Sequence, residues 1–166
     1  DEGQCQSGWS EGKPFAALAA GGNHTCWLRA DRSVVCWGAN GAGQSTELSG
    51  KPFVALASGA DYTCGLREDG SADCWGSDKH DLSSPPSGVF TALAAGSYHA
   101  CGLHQDGSGD CWGRDNEGQS SPPAGTLMAL AAGANHTCGL RSDGTAECWG
   151  SDENGQATPP ADYTWK

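Results

Sequence analysis

The sequence predicts an all-β fold: a β-propeller, or a propeller-like array, of four 37–38-residue disulfide-stapled repeats. Three observations predict it. The stretch HTCGLRSDGTAECWG (136–150) recurs as HTCWLRADRSVVCWG (24–38), YTCGLREDGSADCWG (62–76) and HACGLHQDGSGDCWG (99–113). Its cysteines stand ten apart, at 26/36, 64/74, 101/111 and 138/148, and the first members (26, 64, 101, 138) follow one another by 38, 37 and 37 residues. The apolar runs are short, Gly and Pro punctuate them, and no 3.6-residue periodicity outlasts one turn, which is the pattern of strands. A fixed period of this length means supersecondary units that stack on one another.

Each unit opens on Phe15, Phe53, Phe90 or Leu127, followed by a small-residue segment such as ALAAG. Ala and Leu favour helix, but so few residues before a glycine are too short to hold one alone, so the segment reads as a strand packed close to its neighbours. The hairpin that follows is specified by its turn. If Cys64 faces Cys74, opposed residues sum to 138 and Glu68-Asp69-Gly70 is a three-residue loop, a type I turn ending in a left-handed residue. Gly70, Gly107 and Gly144 stand where glycine is wanted, and Arg32 stands there in the first unit. Opposed residues at a non-hydrogen-bonded site have Cα atoms about 4.5 Å apart, within reach of a disulfide. Register and spacing therefore pair Cys26–Cys36, Cys64–Cys74, Cys101–Cys111 and Cys138–Cys148, each staple adding roughly 2–3 kcal/mol. Alternation puts Leu66 on the disulfide's face and Trp75 on the other, near Gly65, which leaves room for the indole. A hairpin apolar on both faces must be sandwiched between its copies. Sheets stacked face to face around an axis, with short protected edges, make a propeller. The units run 15–52, 53–89, 90–126 and 127–162 within one repeat domain, 1–166, with partial units at 1–14 and 163–166.

Composition narrows the function. The chain has 166 residues, 26 Gly, 9 Cys and 7 Trp, with a net charge of −11. An acidic balance opposes binding to nucleic acid, which needs a basic face. No run of 18 apolar residues exists, so membrane insertion by a helix is not expected. Cysteines ten apart lack the short gaps of zinc ligands, and disulfides point to an oxidising compartment, so the expected location is secreted or extracellular. Cys5 has no partner at the ten-residue spacing; it is expected unpaired or in an intermolecular bond. No nucleophile elbow, zinc-protease helix or phosphate loop is present, so no catalytic residue, metal or cofactor is expected, and the chain does not read as an enzyme.

Several residues invite a site. His24, His99 and His136 share one repeat position with Tyr62. Equivalent positions lie around a circle, too far apart to share an ion, so no shared metal site is expected. The acidic loops 114–118 and 151–155 lack an EF-hand ligand pattern and read as solvated turns. Asn23 and Asn135 head Asn-His-Thr glycosylation patterns, although a tightly packed strand entrance leaves little room for sugar. Trp27 replaces the glycine of Gly65, Gly102 and Gly139; it either fills space at the first blade or anchors a partner. Recognition is expected in loops on one face, carried by Trp27, Trp37, His80, Asp81, Asp115 and Glu117.

The recurring glycine, His-Thr, Asp-Gly, Trp-Gly and Gly-Gln positions (Gly133, His136, Thr137, Asp143, Gly144, Trp149, Gly150, Gly155 and Gln156 in the fourth copy) resemble the regulator of chromosome condensation repeat from residue 15 to about 160. The resemblance implies a propeller, usually of seven blades, and a structural role for His24, His99 and His136, each imidazole bonding backbone at the strand entrance. The short units are similar to secreted propeller-type β-lactamase inhibitors of soil bacteria, and the paired cysteines to extracellular repeats of crinkly-type plant receptor kinases. Both imply an exported binding surface without catalysis. Nucleotide exchange on a small nuclear GTPase is the founding member's activity, and no residue here carries it over. With four units, three arrangements stay open: a small ring of four or five blades, an arc completed by a second copy, or head-to-tail pairing into a ring or filament. The segments around Cys5 and at Tyr163-Thr164-Trp165 look like fractions of further units. The expected function is non-catalytic binding of a protein partner. The alternatives are a self-assembling subunit of a fibre or surface layer, whose partner is another copy, and a multivalent propeller that binds glycan.

Overall fold

A computed structural model describes residues 15–46, 48 and 50–160. Cys5, the partial units at both ends and Tyr163–Trp165 lie outside the described residues. The described chain forms four three-stranded antiparallel sheets, each in sequence order. The first holds β1 (Phe15–Ala20), β2 (His24–Arg29) and β3 (Val34–Gly38). The second holds β4 (Ala55–Ser58), β5 (Tyr62–Leu66) and β6 (Ala72–Gly76). The third holds β7 (Phe90–Ala95), β8 (His99–His104) and β9 (Gly109–Gly113). The fourth holds β10 (Ala129–Ala132), β11 (His136–Leu140) and β12 (Ala146–Gly150). The small-residue segments are the strands β1, β4, β7 and β10, and consecutive ones lie against each other, β1 on β4, β4 on β7 and β7 on β10. Small side chains allow that approach, and it turns the four sheets into blades around a common line.

The hairpin register is the one the turn chemistry specifies. Cys64 faces Cys74, Leu66 faces Ala72, and the same pairing recurs in the other blades. Four disulfides close within their own hairpins, with Cα atoms 4.0–4.1 Å apart. The turn closes through Arg67 N to Ser71 O at 2.9 Å and Gly70 N to Arg67 O at 3.0 Å. Gly70 has φ +81°, and Arg32 takes the same left-handed conformation at φ +66°, which glycine adopts freely and other residues do not.

What separates the blades corrects one expectation. The space at Gly65 is filled by Phe53, not by the indole of Trp75. A Cβ built on Gly65 would lie 2.4 Å from the Phe53 ring. Phe53, fully buried, packs with Cys26, Leu28 and Val34 of the first blade and with Trp75 of the second, 5.7 Å between ring centroids. Phe90 repeats this between Cys64 and Leu66 of the second blade and Trp112 of the third. The residue that opens the second, third and fourth units is thus a wedge. It lies on the glycine of its own blade and against the disulfide face of the blade before. Its amide is held by the preceding turn: Phe53 N to Arg32 O 3.0 Å, Phe90 N to Gly70 O 2.8 Å, Leu127 N to Gly107 O 2.8 Å.

Candidate binding face

β2 begins and β3 ends at the same edge of the blade, so the first turn of each unit and the loop after Trp-Gly share one face. Backbone bonds tie them: Ala39 N to Asn23 O, Ser77 N to Asp61 O, Arg114 N to Tyr98 O and Ser151 N to Asn135 O, 2.7–2.9 Å. Beneath this face runs a ladder that joins the blades. His24 Nε2 meets Thr63 Oγ1 of the next blade at 2.8 Å, and His99 Nε2 meets Thr137 Oγ1 at 2.8 Å. This corrects the expectation of imidazole–backbone bonds. Between these two, Tyr62 replaces histidine where the next blade offers Ala100 instead of threonine. With no hydroxyl opposite, the longer phenol reaches the carbonyls of Gly96, at 3.2 Å, and His99. Burial pushes His99 down to about 4 and lowers His24 as well, so both rings are neutral at physiological pH and serve the blade contacts. Among the described residues no group of His, Cys, Asp or Glu is disposed to hold a metal ion.

The indoles form a second ladder. Trp75 Nε1 donates to Gln44 O at 3.1 Å, Trp112 Nε1 to Leu82 O at 3.2 Å and Trp149 Nε1 to Gln119 O at 3.0 Å. Each carbonyl belongs to the loop of the preceding blade. Gln44 and Gln119 are buried, and Leu82, which takes the glutamine's place in the second unit, is fully buried.

The loops themselves are clasped by their first acid. Asp115 accepts Ser120 N and Ser121 Oγ at 2.7 Å each, and Asp152 accepts Ala157 N at 2.7 Å and Thr158 Oγ1 at 2.6 Å. Asp78 holds Ser83 in the same way. Hydrogen bonds from the partner hydroxyls keep Asp78 and Asp152 below the usual carboxylate range. Asp115 and Glu117 are both exposed, and Asp115 is spent on its own loop.

His80 and Asp81 lie in a 3-10 turn, Lys79–Asp81, and both have left-handed backbones, φ +63° and +59°. Asp81 stands where the third unit has Gly118, φ +81°. Both side chains are exposed, and the His80 ring lies edge-on to Tyr98 of the third blade, 6.4 Å between centroids. Trp27 and Trp37 are not in these loops; they lie on β2 and β3, pairing with Val35 and Thr25. The structure thus puts His80, Asp81, Asp115 and Glu117 on one face and the two tryptophans on the side of the first blade. Arg29 stacks over Trp27 at 5.1 Å. Asn23 is exposed and Asn135 half-buried in the first turns of their units.

Two hollows lie in the described surface. One, about 290 Å³, is lined by Gly, Ala and Ser of the inner strand ends and carries no ionisable side chain. The other, about 550 Å³, lies at the opposite end between the first two units, beside Arg29, Arg32 and Lys51. Two of its cations are engaged, Arg32 with Glu68 and Lys51 with Asp73.

Residues 15–44, 53–81, 90–119 and 129–156 match the regulator of chromosome condensation (RCC1) repeat. The chain belongs to the RCC1 repeat family. Among solved structures, the CRINKLY WD40 ectodomain of the Arabidopsis thaliana receptor kinase ACR4 is 33% identical, with a TM-score of 0.74 over 83% of this chain and 51% of its own. The ectodomain of the Physcomitrella patens receptor kinase CR4 is 36% identical, with a TM-score of 0.72 over 83% of this chain and 41% of its own. Prp20p of Saccharomyces cerevisiae, described with its binding to Gsp1p and histones, shares the fold at 19% identity, TM-score 0.75, over 87% of this chain and 47% of its own. This RCC1-repeat chain spans about half the length, or less, of these structures. No curated protein matches it.

Proposed function

We propose that the RCC1-repeat chain is an extracellular, non-catalytic recognition domain that binds a protein partner of positive charge through the loops after Trp-Gly. The observation that carries this reading is the His80–Asp81 pair. Two successive non-glycine residues in the left-handed region cost of order 1–3 kcal/mol each, and such strain collects where recognition needs a fixed shape. Both residues are exposed, and the His80 ring lies edge-on to Tyr98 of the next blade. Around it the face is acidic: Asp78 and Asp81 in the second unit, Asp115 and Glu117 in the third, Asp152 and Glu153 in the fourth, against Lys79 and Arg114. Such a field steers basic partners and weakens with salt. The four disulfides and the likeness to two receptor ectodomains support an extracellular setting.

The test is binding to an array of extracellular proteins with the full chain as probe. Binding is expected to basic proteins, to fall steeply with ionic strength, and to be lost in His80→Ala/Asp81→Gly while thermal stability holds or rises. Binding that ignores both the variant and salt overturns the reading. Several equal responses on a glycan array favour the sugar-binding alternative in its place.

A further inference from the structure

The loop after Trp-Gly in the first unit carries an amide where the other three carry an acid: Asn40 aligns with Asp78, Asp115 and Asp152. It makes part of their clasp. Its Oδ1 accepts Ser45 N at 2.9 Å, as Asp115 accepts Ser120 N and Asp152 accepts Ala157 N. In the third and fourth loops the second carboxylate oxygen also takes the hydroxyl six residues on, Ser121 or Thr158. Thr46 stands at that place in the first loop. An amide nitrogen can only donate, so Asn40 offers the Thr46 hydroxyl no second acceptor. Residues 39–46 hold no acid, whereas each of the other three loops holds two, Asp78 and Asp81, Asp115 and Glu117, Asp152 and Glu153.

The residue after Asn40 is Gly41. The chain has one other Asn-Gly pair, Asn154-Gly155, and the two are held differently. Gly155 N donates to Asp152 O at 3.0 Å, and Asn154 N donates to Gln156 Oε1 at 2.8 Å. Among the described residues nothing accepts a hydrogen bond from Gly41 N. Asn40 and Gly41 are both exposed, and a Cβ built on Gly41 would meet nothing within 4 Å. A glycine amide with no side chain to crowd its approach can turn onto the neighbouring Asn40 Cγ. Ser45 N already donates to Oδ1, the oxygen on which negative charge builds in such an attack. A fixed backbone donor at that oxygen lowers the barrier of acyl transfer.

We propose that Asn40 is a self-modification site, which the folded loop converts to aspartate. Gly41 N bonds to Asn40 Cγ and gives up its proton. The Cγ–Nδ2 bond breaks, and ammonia leaves with that proton. The succinimide ring that remains takes up water, and cleavage of its Cγ–N bond restores the backbone and leaves a carboxylate on the side chain. Amide and water thus become carboxylate and ammonium, and nothing is oxidised or reduced. The new oxygen accepts from Thr46 Oγ1, so the first loop gains the clasp of the third and fourth. Opening at the other ring carbonyl routes the backbone through the side chain, as isoaspartate, and takes from the backbone the Asn40 carbonyl that Gly43 N holds at 3.1 Å. The loop therefore favours the normal aspartate. Conversion adds one negative charge to a face whose other three loops are already acidic. It is read by mass and does not depend on the recognition reading above.

The test is peptide mapping with mass measurement on the oxidised full-length chain, held for weeks at physiological pH and temperature. The peptide that holds Asn40 is expected to gain the mass of an amide-to-acid exchange, and the peptide that holds Asn154 is not. In urea with the bridges reduced, both pairs are expected to convert, with a larger isoaspartyl share at position 40 than in the folded chain. Gly41→Ala, which the open space around Gly41 accommodates, is expected to stop the conversion. Asn40→Asp is expected to melt above the wild type and to lose that gain when Thr46→Val is added. An Asn40 that stays an amide in the folded chain, conversion at Asn154 as fast as at Asn40, or an isoaspartyl share equal to that of the unfolded chain overturns the proposal.

Discussion

Removing one wedge and refilling its site tests the blade packing directly. Phe90 is 2% exposed and lies between Leu66 and Cys64 on one side and Trp112 on the other, 6.0 Å from that ring and 4.6 Å from the His104 ring. Truncation of such a buried phenylalanine to alanine costs about 3–5 kcal/mol, transfer and cavity together. A repeat array passes its stability from neighbour to neighbour, so the loss is expected to separate the second blade from the third and to broaden or split the urea transition. Gly102 supplies the second arm. A methyl there would lie 2.3 Å from the Phe90 ring, so Gly102→Ala in the wild type overpacks the joint at about 1–3 kcal/mol. With the ring gone, the same methyl enters the cavity, and alanine is favoured over glycine in a strand by roughly 0.5–1 kcal/mol. The sign of Gly102→Ala is therefore expected to reverse in the Phe90→Ala background. Urea unfolding of the four proteins gives the coupling energy. Additive effects, or a Phe90→Ala loss under about 1 kcal/mol, which is below any buried-aromatic value, would refute the wedge.

Two further outcomes follow from single residues. Arg32→Gly relieves a left-handed arginine, φ +66°, a gain of about 1–2 kcal/mol, while the exposed ion pair with Glu68 that it gives up is worth about 0–1 kcal/mol; a rise in melting temperature is expected, and a fall would show that the pair outweighs the backbone. His99 is pushed down to about 4 from its ordinary 6.5, first by burial and then by nearby His136. The unfolded chain thus binds the extra proton first, and stability is full above about pH 6.5 and declines toward pH 4, by up to about 3 kcal/mol from this group. His24 acts in the same direction, whereas half-buried His104, raised by its hydrogen bond to Asp110, acts in the opposite one. His99→Gln is expected to flatten the pH profile measured by thermal melts; an unchanged slope between pH 6.5 and 4 would place the sensitivity elsewhere.

The repeat was legible because its local signals agree. Cysteine spacing and the Asp-Gly turn independently specify one register, and that register is the one formed. Arg32 announced a strained turn by standing where three other units have glycine. The joints between blades were less legible, since their side-chain ladders couple residues 30–39 apart and each partner is common by itself. Gly65 looked like space for the nearest large side chain in its own hairpin, Trp75, but the ring that fills it, Phe53, arrives along the chain from the preceding turn. The histidine ladder did carry a readable signal: the one unit with tyrosine precedes the one unit with alanine in place of threonine, as a size and hydrogen-bonding exchange requires. His80 and Asp81 stood out only as polar residues in a loop. Their strain is a backbone property that becomes visible when Asp81 is aligned with Gly118.

Each of the four bridges among the described residues opens and closes inside one hairpin, with a separation of ten residues. Oxidation is therefore decided by near neighbours, before distant parts of the polypeptide meet, and mispairing between copies competes against a far shorter loop closure. A gene that gains or loses one whole copy leaves the remaining bridges as they were. Length is thus a quantity this architecture can vary freely across descent, because none of these four crosslinks records how many copies surround it.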